Sequence, residues 1–247
     1  REDIILISDS AHSFGAWYRG GRVGNQLDFH EFSFHAVKNL TTAEGGALTF
    51  DGDSTSGIKD LYREFKVTSL SGQTKDALAK TQAGAWRYDI VNDGLKCNMT
   101  DIMASIGIVQ LQRFDGMLEK RKRLFEIYSN ALKDKEWAIL PFQKDDQGTE
   151  TNYHLYTLRI RGFDEPRRDR LIQEMAAEGI ATNVHFIPLP LFTFYKRMGY
   201  RIEDYPNANA QYRNEITLPL YSTLAPEDAE YVAAELIRCA ERIMQCQ

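Results

Sequence analysis

The chain has 247 residues, 43% hydrophobic and 26% charged, a balance that suits a folded globular protein and excludes a disordered one. A net charge of −5 offers no basic footprint for nucleic acid or an anionic membrane, and there is neither an apolar run of transmembrane length nor a signal-peptide layout. Three cysteines (Cys97, Cys239, Cys246) and five histidines (His12, His30, His35, His154, His185) stand at no metal-ligand or redox spacing, so no metal is expected and a cytoplasmic location is the default.

In chain order, Ile4-Ile5-Leu6-Ile7 predicts a buried parallel strand with Asp9 at its C-terminal end, the edge where ligands of open α/β sheets gather. A carboxylate there is costly to desolvate unless a cation meets it, and a protonated pyridine nitrogen serves as well as an arginine. An ordinary cap or loop aspartate is the other reading. Next, Phe32-Ser33-Phe34-His35-Ala36-Val37 delivers Lys38, and the chain turns through Thr41-Thr42 and Gly45-Gly46 into a second short strand. Lys38 has apolar neighbours, and an amine kept from water becomes a nucleophile near neutral pH. Moving its pKa from about 10.4 to about 7 to 8 takes roughly 4 kcal/mol, so the surroundings must be built for it. A strand-end lysine snorkelling to the surface is the alternative.

Asp9-Ser10-Ala11-His12, Gly15-Ala16, Tyr18-Arg19-Gly20, Arg22-Val23-Gly24, and Phe32 to His35 running into Lys38-Asn39 and Glu44-Gly45-Gly46 together resemble the DegT/DnrJ/EryC1/StrS family. These are pyridoxal-phosphate sugar aminotransferases of the aspartate aminotransferase fold (fold type I). The resemblance implies that Lys38 forms the Schiff base with the cofactor, Asp9 pairs with its ring nitrogen, His12 lies near the ring and Ser33 meets the phosphate. Lysine at position 38, where the family's dehydratases carry histidine, favours amino transfer. The match begins partway through the family's large domain, so its N-terminal part is expected to be missing from this numbering.

Downstream, Asp51-Gly52-Asp53 predicts a turn and Ile58 to Phe65 a helix, whereas Ser69 to Asp93 lacks clear periodicity and predicts a loop. Ile102, Ile106, Val109, Met117, Phe125, Tyr128 and Leu132 recur at helical spacing after a Thr100 or Asp101 cap, and Lys120-Arg121-Lys122-Arg123 reads as the wet side of that helix. Lys96-Cys97-Asn98-Met99-Thr100-Asp101 resembles the family segment whose asparagine binds the cofactor phosphate of the neighbouring subunit. Asn98 is the first candidate for that contact and Lys96 the other, and the expected assembly is a homodimer with shared sites.

The polar turn Lys144 to Thr149 suits a domain boundary, and residues 1–135 and 136–247 are expected to form the partial large domain and a small α/β domain. Tyr156, Leu158 and Ile160 predict one strand face, Arg167 to Glu178 a helix stopped by Gly179, and Ile180 to Phe186 a returning strand. The aromatics between Leu191 and Tyr200 fit either a pocket or core. Pro206 and Pro226 open helices on either side of a short strand at Ile216 to Leu220. His185 is similar to a family histidine that approaches the substrate, although a hydrogen-bonded strand-end histidine explains it equally. His35 is a second candidate for substrate contact. The expected function is amino transfer from an amino acid, by resemblance glutamate, to the keto group of a nucleotide-linked deoxysugar. A non-catalytic fragment or scaffold, or a regulatory module binding the cofactor or a nucleotide-sugar, remains open beside it.

Overall fold

The computed structural model describes residues 4–50, 60–75, 80, 84 and 86–245. The predicted turn at 51–53 and the first residues of the predicted helix at 58–65 lie outside them. Two compact units form, one from Arg1–Phe14 with Arg22–Arg113 and the other from Gly15–Gly21 with Phe114–Gln247.

In the first unit β1 (Ile7–Asp9) lies parallel to β4 (Phe29–Ser33), which pairs antiparallel with β5 (Gly46–Phe50). Between them in sequence, β2 (Trp17–Tyr18) and β3 (Gly21–Arg22) make a short ribbon, all of it but Arg22 counted in the second unit. Along β4, His30 and Phe32 are buried and Glu31 is exposed. Strand alternation therefore puts Asp9, its register partner Glu31 and Ser33 on one face, and Ser8, His30 and Phe32 on the other. The run Ile4–Ile7 departs from its predicted burial: all four side chains are half or more exposed. Among the described residues β1 has one strand neighbour, β4.

The rear face is tied by a histidine of defined tautomer. His30 Nε2 accepts the backbone N–H groups of Gln26 and Leu27, each at 3.1 Å. Its ring proton must then sit on Nδ1, which donates to Ser10 Oγ at 3.1 Å, and Ser10 Oγ lies 3.0 Å from Ser8 Oγ. One buried ring thus joins the start of β4 to the turn that follows β1. Burial pushes the His30 pKa down, because the charged ring would lack water and lose its acceptor nitrogen.

Helix α1 (Leu61–Ser69) is capped by Asp60 Oδ1, which accepts the Arg63 N–H at 3.1 Å. Helix α2 (Asp101–Leu132) starts where Thr100 Oγ1 accepts the Met103 N–H at 3.3 Å. Its predicted stripe divides: Ile102, Ile106 and Val109 are exposed, while Phe125, Tyr128 and Leu132 are fully buried.

The second unit packs that buried end against an antiparallel sheet, β6 (Ala138–Ile139), β7 (Tyr156–Ile160) and β8 (Glu215–Leu218), in the order β6-β7-β8. Helices α3 (Glu165–Ala177) and α6 (Pro226–Gln245) complete the core through Leu171, Met175, Leu236 and Ala240, with α4 (Thr193–Arg197) and α5 (Pro206–Tyr212) between them in sequence. Gly179, at φ +76°, ends α3 as expected.

Three expectations change here. Ile180 to Phe186 is no strand and makes a single bridge, Asn183 to Thr217. The Val184 N–H goes to Asn183 Oδ1 and the His185 N–H to the distant Glu215 Oε2, so side chains take the donors a ladder would need. Arg121 does not belong to the wet face of its helix. It is buried, and its Nη1 donates to the carbonyls of Tyr153, His154 and Leu220 at 3.4, 3.3 and 2.7 Å. Phe192, Phe194 and Tyr200 are exposed and take no part in the core.

Two stability predictions follow from these buried groups. Arg121→Ala leaves three buried carbonyls without their donor and should lower unfolding free energy by about 2–3 kcal/mol in urea titration. A loss comparable to that of exposed Arg123→Ala would contradict the role. For His30, a pKa lowered by folding gives stability that is full above the unfolded value near ~6.5 and is lost as pH falls below it. The urea midpoint should therefore drop from pH 7.5 to pH 5, and less steeply in His30→Gln.

Candidate active site

The first unit builds its site on the loop between β4 and β5. Phe34 closes the base of this loop: its N–H donates to Gly45 O at 2.8 Å, and its carbonyl accepts the Thr42 N–H at 2.9 Å. Thr41 Oγ1 adds a 3.3 Å bond to the same carbonyl. Within the loop the Lys38 N–H donates to His35 O at 3.0 Å, a tight turn that fixes the lysine backbone. Gly45 is required by space as well as by its φ of +154°, since a Cβ would collide with Thr42 Oγ1 and stand 2.9 Å from Met99 Cε. At Gly107 of α2 a Cβ would stand 3.0 Å from Thr42 Cγ2. The Lys38 loop is thus held closely by Met99 and the start of α2.

Lys38 is partly buried. Burial pushes its amine pKa below the ordinary lysine range, and the Asp9 carboxylate pulls it back up. The two groups lie within electrostatic reach, one at the end of β1 and the other in the loop after β4. Asp9 Oδ1 also accepts the Ala11 N–H at 3.0 Å, which fixes the carboxylate against the turn that carries His12. That turn is anchored from behind by the Ser10–His30 bond.

Among the other predicted site residues, Ser33 stands on the face shared with Asp9, and its Oγ accepts the His35 N–H at 3.3 Å. His35 Nε2 lies 3.6 Å from Glu44 Oε1, both well exposed, so His35 sits at the rim of the loop. Lys96 Nζ donates to Asn98 Oδ1, so the two candidates for one phosphate contact meet each other. Asp9, Ser33, Lys38 and Asn98 all belong to the first unit, whereas His185 belongs to the second. There His185 Nδ1 lies 2.8 Å from Thr217 Oγ1.

Reading the residues alone missed Thr42, His30 and the buried partners of His185. Thr42 carried a signal, a hydroxyl pair just before two glycines. His30 and Glu215 gave none, because the bonds that give them their roles, to Ser10 and to the His185 N–H, join positions 20 and 30 apart.

The family model for DegT/DnrJ/EryC1/StrS aminotransferases matches residues 1–237. The structure is similar to that of Streptococcus pneumoniae Spr1654, assigned as a sugar aminotransferase and solved in its PMP form, with a TM-score of 0.90 and 45% identity. That match covers 97% of this chain and 60% of the other. The spore coat polysaccharide biosynthesis protein SpsC of Bacillus subtilis is 35% identical over 236 residues, 93% of this chain and 58% of the relative. A UDP-4-amino-4,6-dideoxy-N-acetyl-beta-L-altrosamine transaminase of Campylobacter jejuni is 30% identical over 244 residues, 98% and 60% of the two chains. The chain spans about three fifths of the length of these relatives, its fold is that of fold type I transferases, and it belongs to the DegT/DnrJ/EryC1/StrS aminotransferase family.

Proposed function

We propose that the protein of which this chain forms part moves an amino group from an amino acid, glutamate in the first instance, to the keto group of a nucleotide-linked deoxysugar. Pyridoxal phosphate is the cofactor, and the Lys38–Asp9 pair carries the reading. The residues fit that group: an amine shifted towards its neutral form suits an aldehyde, and a carboxylate fixed by the Ala11 N–H suits a protonated ring nitrogen. When bound, the cofactor supplies an aldehyde carbon that exchanges amines and a ring that accepts electrons.

With the cofactor bound, Lys38 Nζ would hold that carbon. As general base and acid, the same nitrogen would take a proton from the donor α-carbon and later deliver one to the sugar carbon. Its partial burial favours the neutral base the first step needs. Asp9 would keep a proton on the ring nitrogen, His12 would flank the ring and Ser33 Oγ would bind the phosphate. Asn98, tied to Lys96, meets the phosphate of a neighbouring subunit in a cytoplasmic homodimer. His185 and His35 contact substrate. The sugar class rests on the relatives, among them the transaminase acting on a UDP-linked 4,6-dideoxy sugar.

The test is an amino-transfer assay of the full-length protein against a panel of nucleotide-linked keto-deoxysugars with glutamate. Turnover of at least one 4-keto-6-deoxy substrate is expected, and none across the panel would refute the proposal. In the same assay Asp9→Asn should lower kcat about a hundredfold or more, the scale of a lost preorganised charge. Sedimentation of the active protein should show a dimer; an active monomer would contradict the shared site.

A further inference from the structure

Glu215 is a carboxylate with no evident place in the chemistry above, yet it is only 1% exposed. An ionisable group withdrawn so far from water is expensive unless its oxygens are met, and both are met here. Oε2 accepts the His185 backbone N–H at 2.9 Å, and Oε1 accepts the hydroxyl of Thr217 at 2.5 Å. Thr217, itself 4% exposed, also places its Oγ1 2.8 Å from His185 Nδ1. The carboxylate therefore grips His185 twice, directly at its backbone and through Thr217 at its ring.

The order of hydrogens along this chain follows from counting donors. A hydroxyl has one hydrogen, and that of Thr217 is committed to Glu215. The hydrogen between Thr217 Oγ1 and the imidazole must come from Nδ1, so the neutral ring carries its lone pair on Nε2. Burial raises the Glu215 pKa, while the Thr217 hydroxyl, the His185 N–H and the charge of Arg168 all favour its ionised form. Arg168 is 2% exposed, bonded to Tyr212 O at 2.7 Å, and stands over the Tyr212 ring. The His185 ring is further held edge-on to Phe186, with centroids 4.6 Å apart.

We propose that Glu215, acting through Thr217, is a positioning residue that fixes the tautomer and orientation of His185, so that His185 meets a hydroxyl of the sugar substrate as a hydrogen-bond acceptor. The arrangement follows carboxylate–hydroxyl–imidazole logic, in which a buried acid decides which ring nitrogen carries the proton. The contact with sugar rests on the proposed function, whereas the tautomer does not.

The experiment has two arms on the full-length protein. The first is nitrogen-15 NMR of labelled histidine at pH 8 without ligand. His185 should show a protonated Nδ1 and an unprotonated Nε2. Glu215→Gln should move it towards the opposite tautomer, because an amide that donates to Thr217 turns the hydroxyl towards Nδ1. Thr217→Val should release the preference and Thr217→Ser retain it, and the wild-type and serine spectra decide the matter even where a variant folds poorly. The second arm measures steady-state amino transfer to a UDP-linked 4-keto-6-deoxy-N-acetylhexosamine. Glu215→Gln and Thr217→Val should raise KM for the sugar about tenfold, while the glutamate half-reaction keeps its rate. A protonated Nε2 in the wild type, or an unchanged tautomer in both variants, would overturn the positioning role. A tautomer that shifts without change in sugar KM would overturn the substrate contact. The predicted tautomer with no keto-sugar accepted would refute the proposed function and the sugar contact together, leaving the network in place.

Discussion

The proposed amino transfer depends on the parallel pairing of β1 with β4. It places Asp9 at the end of one strand and delivers Lys38 in the loop beyond its neighbour. At that edge a carboxylate and an amine come within electrostatic reach while backbone hydrogen bonds hold both in place. Neither residue would be chemically distinctive alone. Together, one lowers the cost of a nearby positive charge and the other is biased towards a neutral nucleophile, and those opposed demands are the ones an imine-forming cofactor with a basic ring nitrogen makes.

The two faces of β1 and β4 divide the work. The Asp9, Glu31 and Ser33 face carries the polar groups, and the Ser8, Ser10, His30 and Phe32 side fixes the strands from behind. A neutral, buried His30 suits that rear position because one nitrogen donates and the other accepts, so it joins two backbone N–H groups to a serine hydroxyl without introducing charge. The second unit uses a different device, a buried carboxylate gripping a histidine through its backbone and its ring. Arg121 is a third case, a guanidinium whose pKa burial pushes down to about 10 while it supplies one nitrogen to three carbonyls.

What the sequence made legible was local. An apolar run ending in Asp9, a lysine set among apolar neighbours and a glycine pair are patterns within a few residues; the last two share the loop after β4, and Asp9, at the end of β1, lies within electrostatic reach of the lysine. Less legible were features decided by distant partners. Ile180 to Phe186 has the residue types of a strand, yet Asn183 Oδ1 and Glu215 Oε2 take its backbone donors. Arg121 sits in a run of four cations, and nothing in that run shows that the carbonyl of Leu220, 99 positions away, accepts its hydrogen bond. The helical period of α2 was plain, but a period does not say which half of a stripe meets a core: Ile102 is 76% exposed and Tyr128 fully buried.

The most direct measurement of the central claim is chemical trapping on the purified full-length protein loaded with pyridoxal phosphate. Borohydride reduction followed by peptide mapping should bleach the visible absorption and leave the cofactor's mass on Lys38. A reduced adduct on another lysine, or no adduct at any lysine of a folded, cofactor-saturated protein, would contradict the account.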